Sequence, residues 1–106
     1  MGATALAYTE KREVPRDEVD YRARAYGADA QPLSLQVVNM SAQGLMARIT
    51  GDRPVGERMR ITLPIVGVIG MEVRWSLGGR IGCELDRPIG MADYYELLAA
   101  LLKGIR

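Results

Sequence analysis

The sequence predicts an all-β (mainly β) fold: a six-stranded antiparallel barrel followed by one C-terminal α-helix. Two observations carry this. Six stretches alternate apolar and polar side chains, the period of a strand with one buried face, and Gly-rich turns separate them. The last stretch changes period and repeats its apolar residues at helical spacing. Short, evenly spaced strands of this kind argue for a small barrel.

The elements follow in order. Residues 1–10 read as a mobile leader, and 11–18 as a charged segment that Pro15 keeps from being a regular helix. Val19, Tyr21, Ala23 and Ala25 alternate with Asp20, Arg22 and Arg24, giving the first half-buried strand. Gly27-Ala-Asp-Ala is a turn, and Leu33, Leu35 and Val37 form the next apolar face. Ser41-Ala-Gln-Gly44 breaks that strand from one at Leu45–Thr50, and Gly51-Asp-Arg-Pro54 is loop chemistry. Met59, Ile61 and Leu63 alternate with Arg58, Arg60 and Thr62. Val66–Ser76 is long and apolar, with Gly67 and Gly70 suggesting a bend or bulge, and Trp75 falls on its apolar side with Val73 and Met71. Leu77-Gly78-Gly79 reads as a hairpin turn into Arg80–Asp86. Met91, Tyr94, Tyr95, Leu98, Leu101 and Leu102 then recur at helical spacing, and Gly104 is placed to stop the helix. Leu97, Ala99 and Ala100 fill much of its other face, so the helix either covers the barrel's open end or binds a partner. The expected division is a leader, 1–10, and one domain, 11–106, with the barrel at 19–86 and the helix at 91–103.

Composition narrows the function. A chain of 106 residues, 48% hydrophobic and 25% charged, suits one soluble domain with a modest core. A net charge of +1 provides no field for nonspecific nucleic-acid binding. His is absent, which removes the commonest general base and metal ligand. Cys83 is the single cysteine and sits in the apolar alternation Ile81, Cys83, Leu85, as a buried small hydrophobe and not a nucleophile. No carboxylate pair suggests catalysis, and no Walker-type or dinucleotide-binding glycine motif occurs. The reading is therefore not an enzyme, with no cofactor and no metal. Met1–Tyr8 lacks the pattern of a secretory signal, and no run reaches membrane-spanning length, so the expected setting is the cytoplasm without membrane insertion.

Two short motifs carry the chemistry. Arg12-Glu-Val-Pro-Arg16 sets two guanidinium groups four residues apart on an irregular backbone. Guanidinium forks bind phosphate oxygens and the O6/N7 edge of guanine in bidentate fashion. Asn39-Met-Ser41-Ala-Gln-Gly44 brings an amide, a hydroxyl and a glycine together where a strand breaks into a turn. These supply a base-edge contact, a hydroxyl contact and close backbone approach. A phosphate-bearing guanine nucleotide that is bound and not hydrolysed fits both. As ordinary structure, Asn and Ser are also turn residues, and Gly44 would supply positive φ.

The order and separation of these motifs, with Arg16 and Asn39 lying 23 positions apart, resemble the PilZ domain family of bacterial cyclic di-GMP receptors. The strand segments around Val37–Ser41, Met71–Trp75 and Arg80–Leu85 follow the same pattern, and the resemblance spans about residues 10–90. It implies a barrel with a C-terminal helix and a cyclic di-GMP site of Arg12, Arg16, Asn39, Ser41 and Gly44. It also implies that the segment carrying the two arginines folds over the barrel face to grip phosphates and guanines. Many members have Asp where this chain has Asn39, whose carbonyl is a neutral acceptor. The implied role is a stand-alone receptor passing the signal to an unidentified downstream protein in motility, adhesion or exopolysaccharide control. The alternative is a PilZ-like interaction module that does not bind nucleotide. A barrel for single-stranded nucleic acid is a weak third reading, without evident stacking platforms or a basic groove. Arg22 and Arg24 read as a solvated face. Asp17, Glu18 and Asp20 are candidate partners for the arginines in the absence of ligand.

Overall fold

The computed structural model describes residues 15–104. The expected leader and Arg12 lie outside the described residues. Six strands form: β1 (Asp17–Tyr26), β2 (Pro32–Met40), β3 (Gly44–Arg48), β4 (Arg58–Leu63), β5 (Gly67–Leu77) and β6 (Arg80–Leu85). Helix α1 (Met91–Gly104) follows. The strands close into a barrel in the order β1-β2-β3-β6-β5-β4, with every neighbouring pair antiparallel. Closure is made by a short seam, Ala25 against Ile61 and Tyr26 against Arg60.

Alternation fills the interior as the sequence implies. Val19, Ala23 and Ala25 of β1, Leu35 and Val37 of β2, and Met59, Ile61 and Leu63 of β4 are all buried. Arg22, Arg24, Arg58 and Arg60 face outward between them. Without Phe, the core is aliphatic and sulfur-containing, with Met40, Met59 and Met71 among its fully buried side chains. Gly78 (φ 62°) and Gly79 (φ 79°) make the β5–β6 hairpin a two-residue turn with both central residues left-handed, a conformation glycine adopts without strain.

Two features differ from the sequence reading. The irregularity in β5 is not at Gly67 or Gly70 but between Val73 and Trp75, where the register to β6 slips. Gly67 (φ 75°) closes the tight turn from β4, and at Gly70 a side chain would collide with the Asp86 carboxylate. The helix also seats differently. Its buried stripe is Tyr94, Leu97 and Leu101, joined to the barrel core together with Ile89, whereas Met91, Tyr95 and Leu102 are exposed. A helix apolar on most sides carries two overlapping stripes at the same period, and only the fit to the barrel chooses between them. Among the described residues, no helix is long and apolar enough to cross a membrane.

Candidate functional site

The site is built where two strands lose their regular period. In β2 the pairing with β3 shifts between Val37 and Asn39. Val37 faces the core, Val38 is the extra residue, and Met40 returns to the core fully buried. Simple alternation from Val37 would have pointed Asn39 inward; the bulge turns it out. In β5 the corresponding slip follows Val73, so Arg74 and Trp75 both face outward. The expectation that Trp75 belongs to the core is therefore corrected: it is 40% exposed.

These outward residues fall in one row. Cross-strand pairing runs Glu18–Asn39, Asn39–Met46, Met46–Gly82 and Gly82–Trp75, across β1, β2, β3, β6 and β5. With strands about 4.8 Å apart, Asn39 and Trp75 stand about 14 Å from each other along it. The next row pairs Gly44 with Glu84. Pro15 and Arg16 border this surface, and the whole forms an open cavity of about 860 Å³ that also takes in Ser41 and Gln43. The structure thus brings together Arg16, Asn39, Ser41 and Gly44, which the sequence analysis singled out.

Each side chain has a defined partner. Arg16 Nη1 donates to Asn39 Oδ1 at 2.9 Å, tying the end of one motif to the start of the other. Asn39 Nδ2 lies 3.8 Å from Met46 Sδ, a weak acceptor, across the row. Ser41 is buried; its Oγ accepts from the Gln43 N–H at 3.1 Å, and its own N–H donates to the Gly44 carbonyl at 2.8 Å. The hydroxyl proton is not used in that turn, so it remains a donor. Gly44 is not in the left-handed region. Its absence of a side chain serves close approach instead, since a Cβ there would lie 2.5 Å from the Cys83 carbonyl oxygen.

Trp75 is held by another glycine. A Cβ on Gly82 would overlap the pyrrole part of the indole, so the bare Gly82 backbone makes the room in which Trp75 lies at the wall of the cavity. Beside it Arg74 Nη1 and Glu84 Oε1 form a 2.6 Å ion pair, with both side chains more than half exposed. At that exposure the pair adds little stability. The acidic residues do not pair with Arg16 among the described contacts. Asp17 accepts from the Tyr94 hydroxyl at 2.7 Å, and Asp20 accepts from Gln36.

Two titratable groups, Cys83 and Tyr94, are buried near the site. Burial, and then the charge of Glu57, pushes the Cys83 thiol up to about 12, so it stays neutral and unreactive. Burial and the hydrogen bond to Asp17 raise the Tyr94 phenol above its ordinary value. No group of three acidic, His or Cys side chains suited to a metal occurs among the described residues.

The sequence analysis missed Trp75, Met46, Arg74 and Glu84. A signal for Trp75 existed. A two-residue turn at Gly78-Gly79 pairs Ser76 with Ile81 and Trp75 with Gly82. With Ile81 and Cys83 facing the core, that register already sets Trp75 outside.

The comparisons agree with this architecture. Among curated proteins no sequence relative matches. The solved PilZ domain of CeSA from a cellulose-synthesizing bacterium is similar in fold, with 9% identity and a TM-score of 0.59 over 87% of this chain and 99% of that one. The PilZ domain of YcgR from Escherichia coli, solved with c-di-GMP, is similar at 13% identity and a TM-score of 0.56, over 91% of this chain and 92% of that one. The family model for the PilZ domain matches residues 10–104, a span that holds both motifs, all six strands and the helix. On that match, the chain belongs to the PilZ domain family.

Proposed function

We propose that this protein is a cyclic di-GMP receptor that passes the signal to a partner protein. The observation that carries this reading is the 2.9 Å contact of Arg16 with Asn39 at the border of an open cavity lined by Ser41, Gly44 and Trp75. Cyclic di-GMP presents two phosphodiesters and two guanines. Arg16, with Arg12 from the preceding segment, supplies guanidinium forks for phosphate oxygens and the O6/N7 edge. Asn39 both holds Arg16 and keeps a second carbonyl lone pair for a guanine N–H. Ser41 donates its free hydroxyl proton, and Gly44 keeps the floor low beneath the ligand. Trp75 offers a flat face on which a base stacks. The neighbouring E. coli domain solved with c-di-GMP supports the choice of ligand.

No step of bond making is required of these residues, so the role is binding and not catalysis. The reading places the receptor in the cytoplasm, where the nucleotide acts, and assigns its output to motility, adhesion or exopolysaccharide control. A second reading, an interaction module without nucleotide, is favoured by the exposed Met91, Tyr95 and Leu102 on α1. Calorimetric titration with cyclic di-GMP, with GTP as control, separates the two. Saturable binding of cyclic di-GMP alone is expected, and no binding of either nucleotide would favour the interaction module.

A further inference from the structure

The end of the β1–β2 ladder, where the two motif segments meet, is fastened from the other side of the sheet by one hydroxyl. Tyr94 of α1 is buried, 7% exposed, and its oxygen lies 2.7 Å from Asp17 Oδ2 and 3.0 Å from the Met40 carbonyl oxygen. Its single proton is shared between the two acceptors. Asp17 and Met40 are opposite one another in the ladder and form its outermost rung. Asp17 directly follows Arg16, and Met40 lies between Asn39 and Ser41. Because alternate strand residues face opposite sides, Asp17 and Met40 turn toward the helix while Asn39 turns into the cavity.

The rung needs such a fastening. Just inside it the register shifts between Glu18 and Tyr21, so the outer two rungs are not continuous with the regular ladder. Strand ends with irregular pairing open first. The Tyr94 hydroxyl spans that weak end and ties it to a helix whose neighbours Leu97 and Leu101 are fully buried.

We infer that Tyr94 is a positioning residue for the nucleotide site, and that its hydroxyl couples helix α1 to the arginine and asparagine that bind the ligand. The inference rests on the cyclic di-GMP reading above. Movement of the rung shifts Arg16 and Asn39 through the same backbone that Tyr94 holds. By reciprocity, a nucleotide that fixes Arg16 and Asn39 also tightens the helix. The exposed side of α1 then reports the state of the site.

The test is Tyr94→Phe in the full chain, which removes one oxygen and keeps the buried ring. Leu101→Ala serves as a comparison that loosens the helix by packing alone. Cyclic di-GMP affinity and amide hydrogen exchange over residues 38–42 and 91–104 are measured for all three proteins. Tyr94→Phe is expected to bind about 5- to 20-fold more weakly, the range of a modest coupling. It is also expected to exchange faster at 38–42 and to lose the slowing of helix exchange that nucleotide produces in the wild type. Leu101→Ala, which loosens the helix but keeps the hydroxyl, should lose clearly less affinity than Tyr94→Phe. Wild-type affinity in Tyr94→Phe overturns the inference, as does an equal loss in Leu101→Ala. If the wild type binds no cyclic di-GMP, the functional reading falls by itself. The fastening is then decided by exchange at 38–42 alone, faster in Tyr94→Phe supporting it and equal exchange overturning it.

Discussion

Placing a methyl group on Gly82 attacks the proposed site without touching Arg12, Arg16, Asn39 or Ser41. The Cβ of alanine would overlap the indole of Trp75, and the ring lies on the outside of the barrel, free to tilt toward solvent. The fold therefore loses only about 1 kcal/mol, the low end of the cost of inserting a methyl group. The platform, by contrast, is displaced. Base–aromatic stacking is worth about 1–3 kcal/mol per base by removal of the ring, so Trp75→Ala should weaken cyclic di-GMP binding about 5- to 150-fold. Gly82→Ala moves the ring and does not delete it, so a loss of about 5- to 20-fold is expected, the lower part of that range. Trp75 is the single tryptophan of the chain, so intrinsic fluorescence reports on it alone. Emission should shift to longer wavelength in Gly82→Ala, and its quenching by nucleotide should diminish. Unchanged emission and affinity in Gly82→Ala would refute the seating of the ring on that glycine. Wild-type binding by Trp75→Ala would refute its part in the site.

Further outcomes follow from the same geometry. Arg16→Ala and Arg12→Ala should each weaken nucleotide binding about tenfold to a hundredfold, the worth of one charge-assisted contact, with thermal unfolding almost unchanged; calorimetry and a melting curve check both. Asn39→Asp should retain or strengthen binding, because a carboxylate holds Arg16 more firmly and accepts guanine N–H groups with charge assistance. Asn39→Leu removes both contacts, and titration at matched salt should detect no binding. Glu57→Ala should lower stability by about 1–2 kcal/mol, since Oε2 accepts from both Arg53 and the Ala28 N–H while the buried Oε1 has no partner to lose; urea unfolding measures this. Ile65 sits at φ 70°, a strained conformation for a β-branched residue, and is 54% exposed. Ile65→Gly should accordingly raise the melting temperature by a few degrees, because relief of about 1–2 kcal/mol of strain outweighs the added freedom of the unfolded chain.

Much of the architecture is legible in the residues themselves. Alternation over Val19–Ala25, Met59–Leu63 and Ile81–Leu85 specifies which face is buried, because a strand's period of two admits only one apolar side. The Gly78-Gly79 pair specifies a tight hairpin, because both turn positions need positive φ. Arg16, Asn39, Ser41 and Gly44 were grouped by the order and spacing of two motifs that resemble those of the PilZ family, and the structure sets all four around one cavity. What the tertiary structure alone decided lies where those local periods fail. The bulge at Val38 turns Asn39 outward against the simple alternation of β2, and neither its place nor that of the bulge after Val73 is marked by residue type: each is set by how the two paired strands fit together. The choice of Leu97 over Met91 for burial depends on the shape of the barrel beneath the helix. The tie from Tyr94 to Asp17 and Met40 joins residues 77 and 54 positions apart, a separation that no local pattern can encode. Local chemistry singled out the residues, and the pairing of β3 with β6 set those of β1–β3 on one surface with those of β5 and β6.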